Sequence, residues 1–346
     1  MHRTLIDVNG RFLQHEKPTG VQRWAREVLN HLLDYDDLDI RVIIPSKFFA
    51  YGLKGHFWEQ FILPFRCSRK AKLISLANWG PILKKNQILI VHDLIPISNP
   101  EYFSKLYALF SRVISPTLIN RCENVATVSK HSADMISSYS KKKSEEISVL
   151  GAASSSILIN INEIRIDLIP MNKYLLLIGG DNSRKNLNFI LSFWASLATD
   201  HNLTLVVVVG RSEFVTKNIQ TSLSINELIG VRYISNPSDS ELSNLYSSSV
   251  GLLSPSVIEG FGLPLLESMS HGKPFLSTDT GAARDLCVGN SQILPLVREA
   301  WTKGVENSIS TNSPEDRMIQ LRHASHFSWD LVVAELRKLV DVPGSF

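Results

Sequence analysis

The sequence predicts an α/β protein made of two doubly wound domains, each built on a parallel sheet. Short apolar runs alternate with amphipathic segments of helical period along the chain, which is typical of repeated β–α–β units. The length of 346 residues suits about two domains of ~150 residues each. The alternation stops in a serine-rich stretch at residues 151–172 and then starts again. We therefore expect domains at residues 1–165 and 173–328, followed by a terminal helix at residues 329–346.

The first domain is predicted to open with a strand at Arg3–Val8. After a loop, Gly20 precedes a helix over residues 21–33, whose apolar side carries Trp24 and Val28. A strand, a turn and a helix start in this order let backbone N–H groups approach a phosphate. The remaining elements are expected at residues 39–44, 88–91, 106–121, 124–128 and 147–150, with one more helix after the capping residue Ser129.

The second domain is predicted to restart the pattern with a strand at Tyr174–Ile178, which ends in Gly179 and Gly180. Leu203–Val209 is almost wholly apolar, as expected for a central parallel strand. The remaining elements are expected at residues 231–234, 241–247, 250–253, 265–270, 274–277, 299–308 and 315–324. The G-x-G-x-x-G fingerprint is absent, which argues against a dinucleotide enzyme such as a sugar-nucleotide epimerase.

Composition excludes several other classes of protein. The longest uninterrupted apolar run, Leu205–Val209, is far shorter than the ~20 residues that cross a bilayer. Cys67, Cys122 and Cys287 are far apart and have no metal-ligand spacing, so we expect ordinary thiols in a reducing compartment. The net charge of +3 combines a basic first half with a mildly acidic second half. The basic half suits either an anionic membrane or phosphorylated acceptor, or merely a solvated surface. No nucleic-acid partner is expected.

The most informative stretch is residues 254–281, SPSVIEGFGLPLLESMSHGKPFLSTDTG. Glu259 lies in a glycine-flanked loop, and Glu267 is expected in the first turn of the helix that Pro264 opens. Ionised carboxylates only accept hydrogen bonds, so they suit the hydroxyls of a sugar. The glycines let backbone N–H groups come close to a ligand. The pattern therefore favours a binding site for a polyhydroxylated molecule.

Two further candidates follow predicted strands. His92 ends the strand at 88–91, where ligands bind in open α/β sheets. Arg184 and Lys185 come shortly after the Gly179-Gly180 turn and supply cations at a helix start. We expect Asp93 to orient His92 or the loop rather than to react.

The string from Glu259 to Glu267 resembles the E-G-F-G-L-P-x-x-E signature of the retaining glycosyltransferases of family 4. The resemblance is strongest at residues 254–281, clear at 179–190 and looser at 18–33 and 88–100. It implies the GT-B fold, with two Rossmann-like domains facing a cleft that holds a nucleotide sugar, and a last helix that returns to the first domain.

The resemblance also implies roles for the candidate residues. Arg184 and Lys185 would contact the diphosphate, and Gly20 would add a backbone N–H. Glu267 would bind the ribose hydroxyls. Catalysis would rest on Glu259 and His92, with Glu259 positioning the sugar rather than forming a covalent bond to it. The remaining sugar contacts would come from the backbone of Phe261, Gly262 and Leu263.

One departure from the family pattern is Gly180, where many relatives have an arginine five residues before the lysine. Arg184 or Arg211 could replace it. The R-K-N string at 184–186 looks most like a subset rich in bacterial mannosyltransferases of surface polysaccharides. This points to GDP-mannose, with GDP-rhamnose, GDP-fucose or a UDP-sugar as alternatives. We expect no metal or cofactor, because the cations take the place of a metal.

The resemblance leaves two interpretations of residues 56–72 open. The segment combines Phe57, Phe61 and Phe65 with four basic residues at positions 66–72, which suits a helix on a membrane surface. A buried helix followed by a basic loop is favoured, because Trp58-Glu59-Gln60 recurs in the family as scaffold.

Taken together, we expect a cytoplasmic enzyme that extends a polyprenyl-diphosphate-linked glycan. Its placement is open between the cytosol and peripheral contact with the cytoplasmic face of the inner membrane. The alternative of a different class is a non-catalytic GT-B subunit that binds a nucleotide sugar. Retention of His92, Lys185, Glu259 and Glu267 argues against that alternative.

Overall fold

The structure is a computed structural model that describes residues 3–15, 19–154, 169–180, 182–210, 229–311 and 313–340. It divides into two compact units. Unit 1 comprises Met1–Ala153 together with Phe327–Phe346, and unit 2 comprises Ser154–His326. Each unit holds one six-stranded sheet, and every strand pair in both sheets is parallel. The predicted α/β class with two doubly wound sheets is confirmed.

The sheet of unit 1 has the strand order β2-β1-β3-β4-β5-β6. Its strands are β1 Thr4–Asn9, β2 Leu38–Ile43, β3 Lys72–Ser75, β4 Gln87–Ile90, β5 Asn124–Thr127 and β6 Ser148–Val149. The α-helices of this part of the chain are α1 Gly20–Leu33, α2 Gly52–Phe57, α3 Leu63–Arg66, α4 Ile95–Ser98, α5 Lys105–Arg121 and α6 Lys130–Tyr139. A π-helical turn, Trp58–Ile62, joins α2 to α3.

The sheet of unit 2 has the strand order β12-β11-β10-β7-β8-β9. Its strands are β7 Tyr174–Ile178, β8 Thr204–Val209, β9 Val231–Ser235, β10 Gly251–Ser254, β11 Phe275–Ser277 and β12 Gln292–Ile293. Its α-helices are α7 Leu187–His201, α8 Asp239–Ser248, α9 Leu263–Ser270, α10 Ala283–Leu286, α11 Arg298–Ser310 and α12 Pro314–Ala324.

The last helix of the chain, α13 Trp329–Val340, belongs to unit 1. Its Trp329 ring lies edge-on to Trp24 of α1, with the ring centroids 6.3 Å apart. The Lys72 ammonium donates to the carbonyl of Leu339 at 2.9 Å, and Arg337 pairs with Asp37. Helix α13 is therefore part of the packing of unit 1 although it follows unit 2 in sequence.

The cores show why apolar runs form the strands. Leu205 to Val209 are buried in β8, and Trp194 of α7 and Trp301 of α11 are fully buried in the same cluster. In unit 1, Leu89 and Val91 pack against Leu118. Side chains on both faces of a parallel sheet are covered by helices, so alternation of polar and apolar residues is not required.

The structure corrects three details of the sequence analysis. Strand β3 was not expected, and Lys72, assigned to a basic loop, is a buried residue of that strand. Strand β12 was not expected either. Most of the predicted linker at 151–172, and Arg211, lie outside the described residues. In the part of the chain that the structure describes, no helix is long and apolar enough to cross a membrane.

Candidate active site

The candidate site of unit 2 lies where the order of its strands reverses. The chain runs outward from β7 to β8 and β9 in one direction, and then returns to place β10 on the other side of β7. The loops that leave the carboxyl ends of β7 and β10 therefore diverge and open a crevice, which is where α/β sheets bind ligands. A small pocket at this point is lined by Ile178, Lys185, Ser256 and Pro264.

These two loops bring together the residues that the sequence singled out. The Lys185 Nζ donates to the Glu259 Oε1 at 2.6 Å. The backbone N–H of Val257 donates to the carbonyl of Arg184 at 2.8 Å, so the loops are also joined through their main chains. The side chains of Lys185 and Glu259 are 15% and 12% exposed. This pair is therefore largely withdrawn from water, yet it reaches the surface.

The surroundings of Glu259 decide its charge. Burial alone raises the pKa of this carboxyl, but the Lys185 ammonium, with further help from Ser256 and Arg184, outweighs burial and sets the pKa below its ordinary value. An opposite charge within hydrogen-bond distance favours the ionised form. Glu259 is therefore a carboxylate at neutral pH, which suits it to accept hydrogen bonds and not to donate a proton.

Lys185 is held in place by a short turn. Residues Ser183–Lys185 form a single 3₁₀ turn, in which the Asn182 side chain accepts a hydrogen bond from the Arg184 N–H. Asn186 ends this turn in the left-handed region, with φ of 53°, and helix α7 begins at the next residue. Asparagine tolerates this conformation better than most residues. The R-K-N string thus encodes the turn as well as the two cations.

The loop that carries Glu259 depends on close backbone packing. The Ala282 N–H donates to the Phe261 carbonyl at 2.9 Å. A Cβ at Gly281, whose φ is +58°, would lie 2.7 Å from that carbonyl oxygen. Gly262, with φ of 96°, precedes helix α9 and adopts a conformation that side chains disfavour. The conformation of the E-G-F-G loop therefore depends on Gly262 and on Gly281, which packs against the backbone of the buried Phe261.

Helix α9 begins at Leu263, so Glu267 lies in its second turn. The expectation that Glu267 occupies the first turn was wrong, because the helix includes Leu263 and Pro264. Glu267 is nevertheless held in a defined position. The Tyr246 hydroxyl donates to its Oε2 at 2.8 Å.

Tyr246 and His271 form a support that the sequence analysis missed. Tyr246 is buried, and its ring stacks on His271 with centroids 5.2 Å apart. The His271 Nδ1 lies 2.7 Å from the Glu267 carbonyl oxygen, and its Nε2 lies 2.8 Å from the Ser243 Oγ. The only signal in the sequence was the spacing of Glu267 and His271 on one helix face, which does not identify Tyr246.

Gly180 explains the absence of the family's arginine in steric terms. A Cβ at this position would lie 2.4 Å from the Val207 Cγ1 and 3.3 Å from the Leu187 Cδ2. Valine has little freedom to turn away within a strand. No side chain fits at Gly180 without a shift of β8, so this position cannot supply a cation. Arg184 lies on the 3₁₀ turn beside Lys185, whereas Arg211 is outside the described residues.

In unit 1, His92 follows β4 as expected, but it is only 5% exposed. Its Nε2 lies 2.9 Å from the Leu76 carbonyl, which can only accept, so Nε2 carries the proton and Nδ1 keeps its lone pair. Burial lowers the pKa of His92 to about 4 despite that hydrogen bond. The Trp24 ring meets the imidazole edge-on at 4.8 Å between centroids. His92 is therefore a neutral imidazole with little exposed surface.

Gly20, the other candidate in unit 1, is the exposed first residue of α1. The Gln22 side chain accepts a hydrogen bond from the Thr19 N–H at 2.8 Å, which fixes the entry to this helix. The backbone N–H groups of the first turn are oriented as for an anion.

A second buried carboxylate was not found from the sequence. Glu59 of the π-helical turn accepts from Arg11 at 2.5 Å and from the Asn9 amide at 3.1 Å. Its Oε2 is also 3.3 Å from the His56 Nδ1. Among the residues that the structure describes, no three His, Cys, Asp or Glu side chains gather as a metal-binding group.

The fold can now be compared with solved structures. The Anabaena Alr3699/HepE protein in complex with UDP and glucose matches with a TM-score of 0.69 at 14% identity, over 99% of this chain and 100% of that one. WaaG, a glycosyltransferase involved in lipopolysaccharide biosynthesis, matches with a TM-score of 0.67 at 16% identity, over 99% and 100% of the two chains.

The fold and the site together define the class of protein, which is a glycosyltransferase of the GT-B type. Residues 161–318 match the family described as "Glycosyl transferases group 1", so this part of the chain is a domain of that family. The chain is also 26% identical over 265 residues to the O-antigen chain mannosyltransferase RfbU of Salmonella typhimurium, a match that covers 76% of this chain and 70% of RfbU.

Proposed function

We propose that this glycosyltransferase moves mannose from GDP-mannose to a lipid-linked oligosaccharide, with retention of the anomeric configuration. The observation that carries the proposal is the pairing of Lys185 with Glu259 at the point where the strand order of unit 2 reverses. Glu267 lies on helix α9, which directly follows the loop that carries Glu259. The similarity to RfbU, named as an O-antigen mannosyltransferase, supports mannose as the sugar.

The donor is proposed to bind through complementary charges. Lys185, together with Arg184, neutralises the diphosphate, and its ammonium can turn from Glu259 to a phosphate oxygen because lysine is a flexible point charge. Glu267, oriented by Tyr246, accepts hydrogen bonds from the ribose hydroxyls. Glu259 and the backbone of Phe261, Gly262 and Leu263 hold the sugar hydroxyls.

In the proposed reaction the acceptor hydroxyl attacks the anomeric carbon on the face from which the diphosphate leaves. The bond from the anomeric carbon to the phosphate oxygen breaks, the new glycosidic bond forms, and the hydroxyl proton passes to the departing phosphate. Cations at that phosphate stabilise the charge that develops on it. We propose that these cations make a divalent metal unnecessary.

Glu259 is proposed to act by position and charge. Its lowered pKa keeps it ionised, so it can stabilise the positive charge that develops on the sugar. We propose that His92, as a neutral imidazole, accepts a hydrogen bond from a donor hydroxyl through Nδ1, and that Gly20 offers a backbone N–H to the diphosphate. The acceptor is proposed to be a polyprenyl-diphosphate-linked glycan at the cytoplasmic face of the inner membrane.

The test begins with binding of GDP, UDP, ADP and dTDP, each with and without EDTA, measured as a shift in thermal unfolding. A ligand that binds the folded state raises the apparent stability with its occupancy. We expect a shift that is selective for GDP and insensitive to EDTA. A UDP-selective shift would replace the donor, and no shift with any nucleotide would favour a non-catalytic subunit.

The stereochemical part needs a separate measurement. With GDP-mannose and a synthetic lipid-linked acceptor, the anomeric proton and carbon couplings of the product by NMR should show the α configuration of the donor. A β-mannoside would contradict retention while leaving the donor assignment intact.

A further inference from the structure

The segment from Lys47 to Lys70 exposes a row of large apolar side chains. Phe57, Phe61 and Phe65 are 52%, 60% and 87% exposed. Burial is the usual state of phenylalanine, so three exposed rings on one short segment are unusual. Exposed apolar neighbours extend the row at its start, namely Phe48, Tyr51 and Leu53. We name these six residues and the exposed cations of residues 47–70 the aromatic–basic face.

Two of the three phenylalanines are in direct contact. Residues spaced four apart lie on the same face of a helix. Phe57 and Phe61 have this spacing across the π-helical turn Trp58–Ile62, and their ring centroids are 5.0 Å apart. Phe65 follows at the same spacing in helix α3.

The opposite side of the same segment is anchored in the core. Trp58 and Leu63 are buried and pack with Ile43 and Leu73. Glu59 is fixed by Arg11 at 2.5 Å. The exposed rings therefore project from a fixed base, and they are not part of a segment that packs loosely.

The charge of the aromatic–basic face has one sign. All five of its cationic residues are exposed: Lys47, Lys54, Arg66, Arg69 and Lys70. Glu59 is the only acidic residue between positions 46 and 70, and it is 2% exposed and paired inward. The Lys54 ammonium lies 4.0 Å from the centroid of the Phe48 ring, so cations and rings are interleaved.

Helix α12 shows that exposed apolar side chains elsewhere in the molecule are not accompanied by cations alone. Helix α12 exposes Met318 and Ile319, at 59% and 45%, but the same helix carries two acids, Glu315 and Asp316, and two arginines. These charges balance, so helix α12 has little net attraction for an anionic surface. Residues 47–70 instead combine five exposed cations with no exposed acid.

We propose that the aromatic–basic face docks unit 1 on an anionic lipid bilayer. The phenylalanine rings enter the boundary between headgroups and acyl chains, and the lysines and arginines meet lipid phosphates. Phenylalanine has no polar group that needs a hydrogen-bond partner, so its ring suits the apolar layer of a bilayer. The lysines and arginines suit the anionic surface above that layer. The proposal does not depend on the identity of the nucleotide or sugar.

The test is flotation of the full chain with vesicles of phosphatidylcholine alone and of phosphatidylcholine mixed with phosphatidylglycerol. We expect binding to the anionic vesicles that weakens with salt, and little binding to the neutral ones. The variant Phe57→Ser/Phe61→Ser/Phe65→Ser should lose at least about tenfold in partition, because apolar burial stabilises the docked state. The variant Lys54→Gln/Arg66→Gln/Arg69→Gln should lose the salt dependence together with most of the binding.

The matched control is Met318→Ser/Ile319→Ser, which removes two exposed apolar side chains from helix α12 and should bind vesicles like the unaltered chain. The thermal shift with GDP should be the same in all these variants, so failure of docking is distinguishable from failure of the donor assignment. Equal vesicle binding by the triple phenylalanine variant would overturn the proposal. So would an unaltered chain that ignores anionic vesicles and instead forms a dimer that the phenylalanine variant dissociates.

Discussion

Glu59 of unit 1 and Glu259 of unit 2 are alike in several respects. Each is a nearly buried glutamate paired with a cation, and in each the neighbouring groups outweigh burial, which alone raises the pKa, and set the pKa below its ordinary value. The two carboxylates differ in how their oxygens are used. Asn9 donates to Oε1 of Glu59, while Arg11 and His56 approach Oε2. Glu259 meets one lysine through Oε1.

The difference separates a structural carboxylate from one available to a ligand. Glu59 is surrounded by an arginine, an amide and an imidazole that come from fixed elements. Glu259 lies in a glycine loop, and its main partner is the end of a flexible side chain. Exchange of Lys185 for ligand hydroxyls requires a change of rotamer only, whereas exchange at Glu59 would require unpacking of unit 1.

The largest effect on stability is expected for Glu59→Gln. Loss of its charge leaves Arg11 buried without an anion, and breaking such a pair costs about 3–5 kcal/mol. Urea denaturation followed by tryptophan fluorescence reports mainly on unit 1, which holds four of the six tryptophans, namely Trp24, Trp58, Trp79 and Trp329. A free energy of unfolding within about 1 kcal/mol of the unaltered chain would remove the distinction between the two glutamates.

Glu259→Gln is expected to act on turnover instead. Loss of a group that stabilises charge in the transition state lowers kcat by about 10²–10³-fold. The Lys185 ammonium can turn toward solvent, so unfolding in urea should change much less than in Glu59→Gln. Unaltered turnover in a folded variant would contradict the role of Glu259, and a stability loss as large as that of Glu59→Gln would make the two carboxylates equivalent.

The pH dependence of stability tests how strongly burial in unit 1 disfavours the charged form of His92. In the unfolded chain His92 takes up a proton near its ordinary pKa of 6.5, but the folded state does so only at about 4 because burial disfavours the cation. The unfolded state therefore binds more protons in this window, and stability falls as the pH drops from about 6.5 toward about 4.

The matched variant is His92→Gln, whose amide can still donate to the Leu76 carbonyl. It should lose that component of the pH dependence, most of which lies above the ordinary glutamate pKa of 4.5. An identical pH profile of unfolding in both proteins would show that burial does not keep His92 neutral.

The smallest effect is expected for Tyr246→Phe, which tests whether unit 2 positions Glu267 for a ligand. Removal of one hydrogen bond to a carboxylate is expected to weaken GDP binding by about five- to tenfold, or about 1–1.5 kcal/mol. The effect should vanish in a Glu267→Gln background, because the two residues then no longer act together. Inorganic pyrophosphate, which has no ribose, should bind both proteins equally; a matching loss there would indicate general damage to unit 2.

Much of the fold was predictable because local pattern and global fold agree. The apolar run of β8 predicts a central strand, and β8 lies between β7 and β9. Ser129 predicts a helix start, and its side chain accepts from the Ser132 N–H. In the site, Lys185 and Glu259 follow the neighbouring strands β7 and β10, and the structure shows their side chains in contact. The roles of these residues in catalysis stay predictions.

The remainder depends on contacts that no local pattern carries. The favoured interpretation of residues 56–72 as a buried helix holds for Trp58 but not for the phenylalanines, because the segment buries one side only. Glu59 is recognisable only once Arg11 is beside it, 48 positions away in the chain. Tyr246 reaches Glu267 from a different helix, so spacing could not reveal it.

The position of helix α13 has a consequence for how the protein is made. Trp329 meets Trp24, and Arg337 pairs with Asp37, although all of unit 2 is encoded between them. A ribosome that synthesises the chain from its start must complete unit 2 before it releases the helix that closes unit 1. Domains generally fold as units during synthesis. We therefore expect unit 2 to reach its native state first on the ribosome. The part of unit 1 that precedes unit 2 cannot complete its packing until helix α13 has been synthesised.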